Sequence, residues 1–212
     1  MKASVRRLAF FASMALVIPL ALNALSYANF DFAYGFLRLK KEAVASGLYL
    51  PAYYAHVLPA AFVLVIGLVQ LNTSWRNRWP DAHRFLGKIY VGAILLLSGP
   101  GGIVMSFFIG RGALVQLSFL VQSATWWLCT WAAYRSVMSG NIRAHREWML
   151  RSYSITFAAV TLRVYAFAGS WIFDLSQPGI YATIAWASWM FNLIVCEWII
   201  RRRFKHNSVL SP

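Results

Sequence analysis

The chain has 212 residues, of which 60% are hydrophobic and only 12% are charged, whereas a soluble domain is usually about 25% charged. Twenty lysines and arginines stand against six acidic residues. Because these basic residues cluster between apolar segments, the excess of positive charge indicates a lipid bilayer as partner rather than nucleic acid. The two cysteines lie within apolar segments and indicate no disulfide framework.

Six apolar segments, taken in chain order, are long enough to cross a hydrocarbon core, which needs about 20 residues of helix. The first follows Lys2, Arg6 and Arg7 and is either a retained span or a signal peptide. Its apolar run exceeds the ~7–15 residues of a signal sequence, which favours retention. The prediction is an all-α, single-domain bundle of six transmembrane helices, at about residues 8–28, 53–71, 85–108, 113–134, 150–173 and 179–200.

Most basic residues lie at one end of the predicted spans. They flank the first span, the second and fourth connections and the end of the last span: Lys2, Arg6, Arg7, Arg76, Arg78, Arg84, Lys88, Arg135, Arg143, Arg146, Arg151, Arg201, Arg202, Arg203 and Lys205. Because cytoplasmic loops are rich in Lys and Arg, both termini are predicted to face the cytoplasm of a bacterial inner membrane. The long outer connection, residues 29–52, mixes charged and aromatic side chains and suits the membrane interface.

Three of the four histidines stand where apolar segments begin. His56 opens the second segment, and Ala-His-Arg triplets at residues 82–84 and 144–146 place His83 and His145 before the third and fifth. His83 and His145 are predicted at the inner rim, with His56 roughly 20 Å away near the outer rim. Each is either an interfacial polar residue or a ligand. Since facing imidazoles are the usual axial ligands of haem in membrane bundles, His83 and His145 are candidate ligands of one iron.

Small and polar residues form stripes along the last three spans, where membrane helices pack or line a cavity. The stripes contain Ser118, Gln122, Thr125, Cys129 and Ser136; Ser152, Thr156, Ala159, Arg163, Ala166 and Ser170; and Ala185, Ser188, Asn192 and Cys196. The remaining faces carry side chains that suit lipid, among them Trp126, Phe167, Trp171, Trp186 and Trp189.

Arg163 lies inside the fifth predicted span, where a charged side chain is costly and by default marks a functional site. It is predicted to face the interior. There it would either bind an anionic group, such as a haem propionate or a substrate, or cap carbonyls freed near Pro100 in the SGPGG segment. Glu197 is the only acid within the predicted spans, and no hydrolase motif is present, so whether the protein is an enzyme stays open.

Three segments in order resemble the family of bacterial membrane proteins described as domain of unknown function 2306. They are YYAHVLPAAFVLVIGLVQ, HRFLGKIYVGAILLLSG and NIRAHREWMLRSYSITFAAVTLRVYAF, within residues 53–167. The resemblance implies a multi-pass bundle whose positions of interest are His56, His83, Arg84, Gly87, His145 and Arg151.

More remotely, the layout resembles the two-haem transmembrane cytochromes b. Two bis-histidine haems need four histidines, whereas the bundle offers three and His206 lies in the basic tail. The resemblance therefore implies at most one bis-histidine haem, at the inner rim. It leaves Met105 as a candidate partner for His56, although most buried methionines only fill space.

The sequence favours a membrane redox or electron-transfer protein that binds haem b or a quinone at His56, His83 or His145. Two alternatives stay open: a small-solute carrier or sensor with a cavity around Arg163, and a non-catalytic membrane assembly factor. A redox protein with haem is coloured and shows a Soret band, whereas the alternatives predict a colourless protein.

Overall fold

The computed structural model describes residues 3–175 and 177–205, and within them the chain is helical with no strand. The all-α prediction is confirmed. The α-helices are α1 Ala3–Leu25, α2 Lys41–Ala45, α3 Tyr49–Gln70, α4 Thr73–Arg78, α5 Pro80–Ala93, α6 Gly99–Ser106, α7 Ala113–Met138, α8 Ile142–Thr156, α9 Ala158–Ser170 and α10 Pro178–Lys205. A π turn, Ile94–Ser98, joins α5 to α6, and short 3₁₀ turns lie at Ser26–Asn29 and Leu37–Leu39.

The chain divides into two compact units, the first ending at Gly110 and the second beginning at Arg111. In the first unit, α3 packs against α1 and against the α5–π–α6 segment. In the second unit, α7 and α8 form a hairpin, and α10 packs on α7, α8 and α9. The single-domain organisation stays a prediction.

Four helical segments have both the length and the apolar composition to cross a membrane. They are Arg7–Asn29, Tyr49–Gln70, Pro80–Ser106 and Gly179–Arg202, and they correspond to the first, second, third and sixth predicted spans. The fourth predicted span, α7, is 26 residues long, but its polar residues lower its mean hydropathy. The fifth is interrupted at Phe157, so that α8 and α9 are each too short alone.

The helices α5 and α8 begin earlier than the apolar pattern predicts. Pro80 occupies the start of α5, a position where its missing N–H costs nothing. At the start of α8 the Asn141 side chain accepts a hydrogen bond from the Ala144 N–H at 3.0 Å, as a helix cap does. Both Ala-His-Arg triplets therefore lie on the first turn of a helix.

The helix α7 buries polar residues and exposes apolar ones. Ser118 and Thr130 are fully buried, and Thr130 shares a hydrogen bond of 2.8 Å with Ser152 on α8. Its exposed large side chains are Leu114, Leu117, Leu128, Trp131, Tyr134, Val137 and Met138. Buried hydroxyl groups together with many exposed large apolar side chains suit a helix surrounded by lipid.

Two of the tryptophans that were predicted to face lipid are buried. Trp126 and Trp189 are each 6% exposed, and their indole N–H groups donate to the hydroxyls of Thr156 at 2.9 Å and Ser118 at 3.1 Å. The prediction for these two residues is wrong, because an indole N–H can be satisfied by a hydroxyl at a helix interface. Trp171 is 78% exposed, as predicted.

Candidate functional site

His83 is held against the end of α3 by the buried side chain of Gln70. Gln70 Nε2 donates to the His83 carbonyl at 2.9 Å, and Gln70 Oε1 lies at hydrogen-bond distance from His83 Nδ1. The first bond fixes which end of the amide is the oxygen, so His83 Nδ1 is the donor in the second. Gly87 borders this pair, since a Cβ there would lie 3.6 Å from Gln70 Nε2.

His56 makes a reciprocal pair with Ser98, the last residue of the π turn. His56 Nδ1 lies 2.6 Å from the Ser98 carbonyl oxygen, and Ser98 Oγ donates to the His56 carbonyl at 3.2 Å. Because a carbonyl only accepts, His56 Nδ1 is the donor. Gly101 permits this close approach of α6 to α3, since a Cβ there would lie 2.7 Å from the Ala52 carbonyl oxygen. Turns of π type recur at functional sites.

His145 is held by the α7–α8 hairpin of the second unit. Its Nδ1 lies 2.9 Å from the carbonyl oxygen of Ala133, so here too Nδ1 is the donor. Farther along the hairpin, Thr130 bonds to Ser152 at 2.8 Å. The Ala133 carbonyl therefore orients the ring from the side of α7, and the Thr130–Ser152 bond joins the same two helices.

The three histidines share one tautomer. In each, Nδ1 donates to an oxygen of a neighbouring helix, so the neutral ring carries its lone pair on Nε2. Histidines that bind metals almost always donate their other ring N–H to a carbonyl, carboxylate or water. All three side chains are half-buried. The Nδ1 hydrogen bonds of His56, His83 and His145 are thus of the kind that metal-binding histidines make, although sequence alone gave only the positions of the three residues.

His56 and the residue that holds His83 lie at different levels of α3. His56 lies about two turns into this helix, and Gln70, which bonds to His83, is its last residue. The intervening helix is about 21 Å long at ~1.5 Å per residue. These two histidines therefore cannot bind one iron.

Within the described residues, no group of three or more His, Cys, Asp and Glu side chains is arranged to hold a metal ion. A haem needs only one or two axial ligands from the protein, because the porphyrin supplies the other four. A haem site therefore does not require such a group of side chains.

Arg163 is exposed on α9, whereas the sequence pattern predicted an interior position. Its Nη1 donates to the Ala159 carbonyl at 2.8 Å, one turn earlier on the same helix. Ser152 and Thr156 of the same predicted stripe are buried. The helix is interrupted at Phe157, between α8 and α9. Because helical periodicity does not continue through such a break, residues after it need not face the same side as Ser152 and Thr156. The predicted role of Arg163 in binding an anionic group stays a prediction.

Arg151 and Glu197 form a two-pronged ion pair that the sequence analysis missed. The Nε–Oε1 and Nη2–Oε2 distances are 2.5 and 3.1 Å, and the Arg151 side chain is only 18% exposed. The guanidinium also lies 4.5 Å from the centre of the Trp148 ring. The position of Glu197 would have been enough to predict such a pair, because a lone acid within a predicted span requires a partner.

The remaining candidate positions are Arg84, Met105 and His206. Arg84 pairs with Asp81 at 3.5 Å, and both side chains are largely exposed, so this pair contributes little to stability. Met105 packs against an aromatic cluster that includes Tyr49, which suits a space-filling role. His206 lies outside the described residues.

Comparison with known proteins gives one family. The family described as "Predicted membrane protein (DUF2306)" matches residues 53–200, a segment that contains all three bundle histidines, Arg151 and Arg163. No curated protein and no solved structure matches the chain.

Proposed function

The chain belongs to the DUF2306 family of membrane proteins, and we propose that it is a redox protein of the bacterial inner membrane that binds haem b through histidine Nε2 atoms. The shared tautomer of His56, His83 and His145 carries this proposal. A deprotonated Nε2 coordinates iron. It cannot donate a hydrogen bond to a quinone carbonyl, so the geometry favours haem over a quinone as the bound cofactor.

The proposal includes six spans with both termini in the cytoplasm. The burial of Ser118 and Thr130 on α7, together with its exposed leucines, supports α7 as the fourth span. The fifth span is α8 and α9 read as one helix interrupted at Phe157. Such breaks are tolerated in membranes where neighbouring groups satisfy the freed backbone.

His83 and His145 are the stronger candidates in this topology. Each lies on the first turn of a helix that starts at the cytoplasmic side, where the triplet arginines serve as anchors. The prediction that both ligate one iron stays a prediction. His56, which lies about four turns of α3 away from Gln70, would serve a different site or none.

An absorption spectrum of detergent-purified protein from haem-replete cells tests the proposal. Wild-type protein is expected to show a Soret band. Because a bis-histidine site loses an axial ligand in either case, His83→Ala and His145→Ala are each expected to remove or shift the same band. His56→Ala should leave that band intact, and His206→Ala, in the tail, is the matched control. Correctly folded wild-type protein without haem would overturn the proposal.

The exposure of Arg163 favours a second candidate, a small-solute carrier or sensor. An arginine on the outer face of a span is costly in lipid, and a water-filled cavity or an anionic solute would relieve that cost. This candidate predicts a colourless protein whose thermal stability rises with small organic anions. Arg163→Leu would abolish that stabilisation, whereas loss of Soret absorbance in the histidine variants would argue against it.

A further inference from the structure

Arginine side chains lie on tryptophan rings at the C-terminal ends of α7 and α10. The guanidinium carbon of Arg135 is 5.4 Å from the centre of the Trp131 ring, and that of Arg202 is 4.0 Å from the Trp198 ring. Both pairs have a spacing of four residues, which places the two side chains one turn apart on one helix face. The same arrangement therefore occurs twice in the second unit.

These pairs are exposed. Trp131 and Trp198 are 43% and 54% exposed, and both arginines are exposed as well. Trp131 also stacks on Trp127, with ring centres 6.4 Å apart and an interplanar angle of 10°. The pairs are thus surface features rather than parts of the packed interior.

Apolar side chains precede each pair on the same helix. Leu128 lies three residues before Trp131 and is 56% exposed, and Ile194 lies four residues before Trp198 and is 63% exposed. Toward the helix end, each face therefore passes from aliphatic to aromatic to cationic. A phospholipid presents the matching order of acyl chain, glycerol interface and phosphate.

An arginine stacked on a tryptophan ring can still donate hydrogen bonds through the N–H groups of its guanidinium. A guanidinium on an indole face is attracted by the ring, and its planar N–H groups match a phosphate in two-pronged geometry. Arg151 shows the contrast, since it also lies on a tryptophan but directs Nε and Nη2 to Glu197. Arg135 and Arg202 form no such ion pair within the described residues.

We propose that Trp131–Arg135 and Trp198–Arg202 each bind the phosphodiester headgroup of an anionic phospholipid in the surrounding bilayer. The formal charge of +14 makes the chain complementary to such lipids. The exposed Leu128 and Ile194 select a membrane lipid over soluble phosphate, because only the lipid has acyl chains to cover them. The assignment rests on the proposed topology for its cytoplasmic side and is independent of haem.

Lipid selectivity measured by electron paramagnetic resonance tests this proposal. The protein is reconstituted in phosphatidylcholine vesicles with trace spin-labelled phosphatidylglycerol or phosphatidylcholine, and the immobilised fraction of each label is compared. Wild-type protein is expected to prefer phosphatidylglycerol. Arg135→Gln with Arg202→Gln should lower that preference several-fold, because both two-pronged contacts with phosphate are lost in addition to the charges.

Two further variants separate the stacked pairs from surface charge in general. Trp131→Leu with Trp198→Leu keeps every charge and is expected to lose most of the selectivity. Arg201→Gln removes one exposed charge beside Arg202 and should leave most of it. Unchanged selectivity in the tryptophan variant, or an equal loss in Arg201→Gln, would overturn the proposal.

A competition measurement distinguishes the source of the phosphate. Inorganic phosphate added to the same vesicles should not release the immobilised lipid beyond the effect of sodium chloride at equal ionic strength. Specific release would assign the positions to a soluble anion and would also overturn the proposal. A topology reporter that reverses the bundle would change only the leaflet, so failure of the proposed topology is distinguishable from failure of lipid binding.

Discussion

Gln70 binds His83 at both ends of its amide group. Nε2 donates to the His83 carbonyl at 2.9 Å, and Oε1 accepts from Nδ1 of the imidazole. One side chain at the end of α3 therefore positions both the backbone and the ring of a candidate ligand on α5. Gln70 is a positioning residue in this arrangement.

Gln70→Leu is expected to destabilise the protein by about 1–3 kcal/mol, because it removes two hydrogen bonds that the buried amide makes to His83. Thermal unfolding in detergent measures this effect. Gln116→Leu on half-exposed α7 surface is the control and should change stability by only about 0.5 kcal/mol. Equal effects of the two substitutions would contradict the assigned role of Gln70.

Gly101→Ala is expected to destabilise the first unit. The added Cβ would lie 2.7 Å from the Ala52 carbonyl oxygen and 3.0 Å from the His56 backbone nitrogen, and overpacking of this kind costs about 1–3 kcal/mol. Gly92→Ala is the matched control, since a Cβ there meets nothing within 4 Å. Alanine should stabilise α5 at that position by up to about 1 kcal/mol. Two variants that shift the unfolding midpoint in the same direction would contradict the close helix contact at His56.

The Arg151–Glu197 pair is expected to show energetic coupling. A double-mutant cycle with Arg151→Leu and Glu197→Gln should give a coupling free energy of about 1–3 kcal/mol, as for residues that share hydrogen bonds. Arg151→Lys should recover only part of the loss, because an ammonium cannot reproduce the two-pronged contact. Additive free energies of unfolding would show that the pair does not stabilise the fold.

Arg163→Leu is expected to preserve folded yield while impairing function. The side chain is exposed and Nη1 donates to a carbonyl of its own helix, so the free energy of unfolding should change by only about 0.5 kcal/mol, as for most surface substitutions. Haem content and stabilisation by anions measure the functional effect, which Arg163→Lys should not fully restore. A loss of folded protein as large as that in Arg151→Leu would instead assign Arg163 a structural role.

Reporter fusions test the six-span topology. Fusions after Arg76 and after Arg143 should report the cytoplasm, and a fusion after Gly112 should report the opposite side, because the basic residues cluster at the first two positions. An external signal from either of the first two fusions would contradict the proposed topology.

Composition and apolar segment length were sufficient to predict an all-α membrane protein. Four of the six predicted spans correspond to long apolar helices in the structure, because backbone groups in lipid must be satisfied within a helix. Segment boundaries were less accurate. The starts of α5 and α8 depend on Pro80 and on the Asn141 cap, which lie outside the apolar runs.

The sequence by itself determined which residues are unusual: three histidines where apolar segments begin, an arginine within a span, and one acid that needs a partner. Only the tertiary structure decided what each of them contacts. The ring tautomers follow from oxygens on neighbouring helices, the partner of Arg151 lies 46 residues away, and Arg163 turns outward after the break at Phe157. Periodicity assigns a side chain to a face of its own helix, whereas hydrogen bonds between helices depend on packing that no local pattern contains.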